Sequence, residues 1–186
     1  MNRRTVLTLL LASALSACAP RPYTNPLSRE VRKGLTIAEI DVVTTGTAFE
    51  SVRAADYASR LSPELAGRLR QEFSDRLDPG GVTLSVEIAR MNVAGATTTA
   101  FGRDQSRLQG TAQIRDREGN VLAVYPIHVV AGGAADTRTG ALAQAAVTTA
   151  DRFYRSLLDD FAKTTREQIL GADLPGQRML RRVSPN

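Results

Sequence analysis

The sequence predicts a single small α+β domain in which two helices pack on one face of a largely antiparallel sheet. Apolar and polar residues alternate cleanly over residues 82–89, which is typical of a half-buried strand. Apolar residues also recur at helical spacing in two stretches, one before this strand and one near the end of the chain. The resulting order of strand, helix, three strands and helix favours a two-layer architecture.

The strands are predicted at residues 35–44, 82–89, 108–114 and 121–130. In the first strand the alternation changes phase near Glu39, as a β-bulge would cause. The third and fourth strands are joined by a hairpin turn at residues 116–120. Pro126 removes a backbone donor from the fourth strand, which predicts a position at a sheet edge or at a bulge. The first two strands are connected across a helix and can therefore be parallel.

Two helices are predicted, and each has a start or stop signal. The first begins with Ser62 as its N-cap and Pro63 at its first helical position, and it stops at residues 78–81. The second follows a loop at residues 131–139 and runs without a break to Leu170. Its core-facing stripe is predicted to contain Leu142, Ala146, Phe153 and Leu157.

The long second helix is apolar over a wider arc than one sheet contact requires. A helix that contacts one sheet needs an apolar arc of about 100°. In this helix the arc is extended to about 180° by four further residues, Phe161, Tyr154, Leu158 and Ile169. In one interpretation, the first helix lies alongside and buries Leu158 and Ile169 through Leu69 and Phe73. In the other, Tyr154, Leu158 and Ile169 stay exposed and form the surface for a protein partner.

The N-terminus has the features of an export signal. Arg3 and Arg4 precede an apolar segment at residues 5–14 that is too short to span a membrane as a helix. The next four residues, Leu15-Ser16-Ala17-Cys18, resemble the lipobox of bacterial lipoproteins. This resemblance implies that residues 1–17 are a signal peptide, that cleavage falls between Ala17 and Cys18, and that the Cys18 thiol carries the lipid. The general secretory and twin-arginine export routes both fit the paired arginines.

A lipidated Cys18 would anchor the mature chain in the cell envelope, because two or more acyl chains such as palmitate make membrane attachment stable. Ala19 follows, where many lipoproteins retained in the inner membrane of Gram-negative bacteria have aspartate. We therefore expect the mature protein to be anchored in the inner leaflet of the outer membrane, on its periplasmic side, in preference to the inner membrane.

The amino-acid composition predicts three segments after the signal peptide. Residues 18–33 contain three prolines and are predicted to be an extended tether, residues 34–171 to be the domain, and residues 172–186 to be a mobile basic tail. The net charge of +5 falls by two when the signal-peptide arginines are removed, and basic and acidic residues are mixed along the chain. Nucleic-acid binding is therefore not expected.

The residue types needed for catalysis or metal binding are scarce. The single cysteine is committed to lipid, and the single histidine, His128, is predicted to face solvent on the fourth strand. Asp159 and Asp160 are neighbours on a helix and point about 100° apart, which makes them a poor acid/base pair. We therefore expect no catalytic residue, no metal and no cofactor, and a protein that is not an enzyme.

Together with the lipobox, the element order resembles small α/β accessory lipoproteins of envelope transport and assembly systems. The likeness spans residues 34–170 and implies a non-enzymatic component that docks on another envelope protein. The main alternative is a lipoprotein that binds a lipid or another apolar ligand between sheet and helices. An envelope hydrolase that depends on His128 is a further alternative.

We predict that Cys18→Ala abolishes lipidation and correct cleavage, because no other side chain in this chain can form the thioether to diacylglycerol. Radiolabelled palmitate and the mass of the product report both steps. Incorporation of palmitate into the variant at the original level would contradict the lipobox interpretation.

Overall fold

The computed structural model describes residues 24–172, and a mixed five-stranded sheet forms the centre of this part of the chain. The strands are β1 (Ile37–Val43), β2 (Ala48–Phe49), β3 (Val82–Asn92), β4 (Ser106–Arg115) and β5 (Val121–Ala131). They lie in the order β1-β3-β4-β5, and β2 also pairs with β3. β1 and β2 run parallel to β3, whereas β3, β4 and β5 are antiparallel. The predicted α+β class and the parallel first pair are confirmed.

The helices are α1 (Arg29–Gly34), α2 (Val52–Ala55), α3 (Ala58–Glu72), α4 (Ala96–Ala100), α5 (Arg138–Val147) and α6 (Ala150–Leu170). α6 packs on β5 and β4, α3 packs on β1, and the two long helices also contact each other. They therefore form one layer over one face of the sheet. The core between helices and sheet is filled by large buried side chains, among them Phe73, Leu84, Tyr125, Leu157 and Phe161.

Two local features of the strands agree with the sequence. The pairing of β1 with β3 shifts register between Ile37 and Glu39, where a bulge is predicted. Pro126 lies on β5, which is an edge strand, opposite Thr111 of β4. An edge position tolerates proline because the missing donor can lie on the side that faces solvent.

The first long helix starts earlier than the sequence predicts. α3 begins at Ala58, so Ser62 is not its N-cap, and the Ser62 hydroxyl instead donates to the Val42 carbonyl at 2.8 Å. Pro63 lies inside the helix on its exposed side. The extra turn forms because it buries Leu61 completely and because Tyr57, just before it, stacks on Tyr154 of α6. Tertiary packing thus overrides the local start signal.

The long C-terminal helix is divided in two, contrary to the prediction. Thr148 is extended, and the Thr149 hydroxyl accepts from the Arg152 amide as the N-cap of α6. Phe153 and Leu157, beyond the break, are buried as predicted. The other two members of the predicted core stripe, Leu142 and Ala146, lie on α5 and are exposed, because the break turns α5 away from the sheet.

The predicted extended tether is wrong for the part of it that the structure describes. The Asn25 amide donates to the carbonyls of Gln168 and Ile169 at the end of α6, and its oxygen accepts from the Tyr125 hydroxyl at 2.9 Å. Leu27 is buried in the core, and Ser28 caps α1. The domain therefore includes residues 25–34. The signal peptide, Cys18 and residues 173–186 lie outside the described residues.

We predict that a chain of residues 35–172 melts several degrees below a chain of residues 24–172, because the shorter chain loses the burial of Leu27, worth about 2 kcal/mol, and leaves Tyr125 without Asn25. Circular dichroism during heating measures the difference. Equal melting temperatures would show that the N-terminal segment contributes nothing to the domain.

Candidate functional site

The surface predicted for a protein partner is not exposed. The side chains of Tyr154, Leu158 and Ile169 are only 1%, 0% and 0% exposed, respectively. α3 packs along α6, and Leu69 and Phe73 of that packed edge are themselves fully buried. The interpretation in which the first helix covers this edge is therefore correct, and the docking surface assigned to these three residues is wrong.

An apolar surface is exposed elsewhere, on a pair of short helices that we call the arm. The arm consists of α4 and α5, which pack mainly against each other. Ala141 is the buried residue of α5, whereas Leu142 and Val147 are 64% and 70% exposed. Phe101, directly after α4, is also exposed. The arm thus presents apolar side chains that the described part of the domain does not cover.

The local sequence explains why α5 forms and where it ends. The Thr137 hydroxyl accepts from the Gly140 amide as the N-cap, and alanine, a strong helix former, is the commonest residue of the helix. One face of α5 is exposed and consists of Leu142, Ala143, Ala146 and Val147. At 100° per residue, these four residues lie within an arc of about 140° on the helix surface. Arg138 is the one charged residue of α5. This face therefore has the small, uncharged character of a helix that packs on a protein surface.

A cleft runs beside the arm, between the end of α5 and the first turns of α6. Its volume is about 450 Å³. It is lined by Gly132, Gln144, Val147, Thr148, Arg152, Phe153 and Ser156. The cleft continues the apolar face of α5 through Val147 and Phe153, so the arm and the cleft form one surface.

Exposed charged side chains of both signs lie around the arm, among them Asp136 just before α5. Arg103, Arg138 and Arg152 are exposed, and within the described residues none of them has a carboxylate within ion-pair distance. Asp151 cannot neutralise them, because it is held by Arg155 and Arg60. The Arg155 hydrogen bond lowers the pKa of the Asp151 carboxyl, which stays ionised and engaged. The apolar face of α5 is thus bordered by three exposed arginines and by the exposed Asp136.

The titratable groups between the two long helices pack against one another. Tyr57 and Tyr154 stack with ring centroids 4.0 Å apart, and the Arg60 guanidinium lies over both rings. Burial raises the pKa of both hydroxyls, and neighbouring acids raise it further. The tyrosines therefore remain protonated near neutral pH and serve to join α3 to α6.

The other residues singled out in the sequence lie apart from one another. His128 is exposed on β5, opposite Gln109 of β4. Asp159 forms an ion pair with Arg68 of α3 at 3.3 Å, and Asp160 accepts from the Ser156 hydroxyl. Within residues 24–172, no group of histidine, cysteine and acidic side chains is close enough to hold a metal ion.

The comparisons with known proteins give little further guidance. No protein-family model matches the chain, and no curated protein matches it. One solved structure similar to it is a candidate lipoprotein from Caulobacter crescentus CB15, with 16% identity over 77% of this chain and 96% of that chain and a TM-score of 0.40. Another is an uncharacterized protein, with 12% identity over 78% and 95% and a TM-score of 0.39. None of the described helices is long and apolar enough to cross a membrane.

We predict that Tyr154→Phe reduces the loss of stability at high pH. In the unfolded chain a tyrosine ionises near pH 10, whereas the raised pKa keeps Tyr154 protonated in the folded state, so folding stability falls as pH rises above 10. At pH 11 this linkage amounts to about 1.4 kcal/mol for one tyrosine. Melting temperatures at pH 8 and pH 11 measure it. An equal fall in the variant and the original protein would contradict the prediction.

Proposed function

We propose that this chain is a lipid-anchored lipoprotein of the cell envelope, without catalytic activity, that docks on another envelope protein through the arm. The lipobox supports the anchor, because all four positions of Leu15-Ser16-Ala17-Cys18 match it. The observation that supports the docking role is the exposure of Leu142 and Val147 on a helix that packs mainly on another short helix. The outer membrane, in its inner leaflet, remains the proposed location.

The size of the exposed side chains suits a protein partner. Burying one leucine or valine contributes about 1.5–3 kcal/mol, so Leu142 and Val147 together can supply much of a moderate affinity. The alanines between them allow a partner backbone to approach closely, as when a helix lies in an apolar groove. Helices that lie in a membrane surface instead carry several large apolar residues and many cations on the opposite face. α5 has neither.

The interior of the domain gives less support to apolar-ligand binding between sheet and helices. Fully buried side chains, among them Leu108, Tyr125 and Phe161, fill the space where such a ligand would lie. The cleft beside the arm is open to the surface and has several polar lining residues. We therefore favour docking on a protein over binding of an apolar ligand. Detection of a stoichiometric lipid on the purified domain by mass spectrometry would reverse this preference.

We predict that a photo-crosslinking amino acid at Ala146 captures a partner in the native envelope and that Leu142→Glu abolishes this capture. An acidic residue at the centre of an apolar contact cannot be buried without a large desolvation cost. Because Leu142 is exposed in the free domain, the variant keeps its melting temperature. Immunoblots of the membrane fraction report the crosslinked product.

Two control variants separate docking from general effects. Leu122→Glu changes a leucine of similar character, exposed on β5, and leaves capture intact. Leu158→Glu changes a fully buried leucine and unfolds the domain, which shows the result of simple destabilisation. Capture that survives Leu142→Glu, or that occurs equally from Val124 on β5, would refute docking through the arm.

A further inference from the structure

The structure fixes the chain close to the anchoring position. Asn25 is bound to both carbonyls at the end of α6 and to Tyr125, and Leu27 is buried, so the domain is rigidly connected from residue 25 onward. Six residue steps separate Cys18 from Thr24. They span at most about 20 Å even when fully extended. A lipid on Cys18 would therefore hold this end of the domain next to the bilayer.

The element at this end is α1, which contributes no residue to the core. It carries Arg29, Arg32 and Lys33 against one acid, Glu30, and Val31 is 49% exposed. Arg29 and Lys33 are exposed, and Arg32 lies closer to the domain, where its guanidinium donates weakly to the Leu170 carbonyl. α1 thus combines a net positive charge with an exposed apolar side chain.

Several of the neighbouring acidic groups are bound within the domain. Asp75 receives two hydrogen bonds from Arg166, and Asp78 accepts from the Gly80 amide. Glu167 pairs with Lys163 on α6. Arg76, whose guanidinium donates to the Lys33 carbonyl, lies beside α1 and forms an ion pair with Asp75 at 3.7 Å. Glu30 is the one acid of α1 itself, and Asp116 and Glu118 of the β4–β5 turn line a cleft that Val31 also borders.

We propose that α1 is a membrane contact and that Arg29 and Lys33 bind the anionic headgroups of the bilayer in which the chain is anchored. The inference rests on lipidation of Cys18, which belongs to the proposed function, and it assigns α1 a role separate from docking. A cation held near an anionic surface is attracted to it, and the short connection keeps α1 within this range. The contact orients the domain, with α1 toward the bilayer and the arm at the opposite end of α6.

The lysines provide the measurement, because Lys33 and Lys163 are the two lysines of the whole chain. The unlipidated mature chain, residues 18–186, is coupled through the Cys18 thiol to a maleimide lipid in vesicles. One set of vesicles contains phosphatidylcholine alone, and the other contains one quarter phosphatidylglycerol. A water-soluble acylating reagent then modifies the exposed amines, and mass spectrometry gives the rate at each lysine. Lys163, two turns before the end of α6, is the internal reference.

We expect acylation of Lys33 to be about fivefold slower on the anionic vesicles than on the neutral ones, a factor that corresponds to the attraction of one basic side chain to an anionic surface. Acylation of Lys163 should be equal on both. Arg29→Glu restores the fast rate at Lys33, and high salt does the same. Arg138→Glu is the matched control, because Arg138 is also the exposed first residue of a helix, at the arm. This variant keeps Lys33 protected.

Three results would overturn the proposal: equal Lys33 rates on the two vesicles, equal slowing of both lysines, and protection that persists in Arg29→Glu. Chemical coupling supplies the anchor, so these results do not depend on whether the cell lipidates Cys18. Palmitate labelling and capture from Ala146 test the proposed function separately. Failure of one proposal is therefore distinguishable from failure of the other.

Discussion

The buried guanidinium of Arg166 determines how the two long helices lie on the sheet. Its Nη1 donates to the Glu72 carbonyl at 2.8 Å, and both terminal nitrogens bind the Asp75 carboxylate. Arg166 is buried while the Asp75 side chain is 39% exposed, so the pair stabilises the junction by less than the roughly 3–5 kcal/mol of a fully buried pair. These bonds fix the end of α3 against the last turns of α6, where Asn25 is also bound. The junction therefore joins the end of α3 to the same turns of α6 that bind the N-terminal segment and contact α1.

The sequence was sufficient where one periodic pattern controls the structure. Alternation located β3 to β5, the phase change located the bulge after Ile37, and Pro126 marked the edge strand. It was insufficient where distant residues decide the conformation. Ser62-Pro63 has the pattern of a helix start, but stacking of Tyr57 on Tyr154 extends α3 by a further turn. The binding of Asn25 to α6 and to Tyr125 likewise depends on residues that are 143 and 100 positions away.

The error in the candidate site has one physical origin. The apolar arc of about 180° was calculated for one continuous helix, in which Leu142 and Leu158 lie near the two edges of the same arc. The break at Thr148 separates them, so α3 buries Leu158 while Leu142 turns outward. The threonine pair was the available signal, because Thr149 is an efficient N-cap and β-branched residues weaken a helix interior. The width of the arc correctly indicated a second contact, but not which segment would make it.

The length of α6 then relates the two ends of the domain. Its 21 residues extend about 31 Å, with α1 packed near its last turn and the arm joined to its first. A domain whose α1 end lies within about 20 Å of the anchoring cysteine must present the arm on the side away from that anchor when it stands upright. If α1 did not contact the bilayer, the short connection would let the domain tilt until the arm approached the same membrane. In the orientation that we propose, contact of α1 with anionic headgroups would keep Leu142 and Val147 accessible to a protein partner.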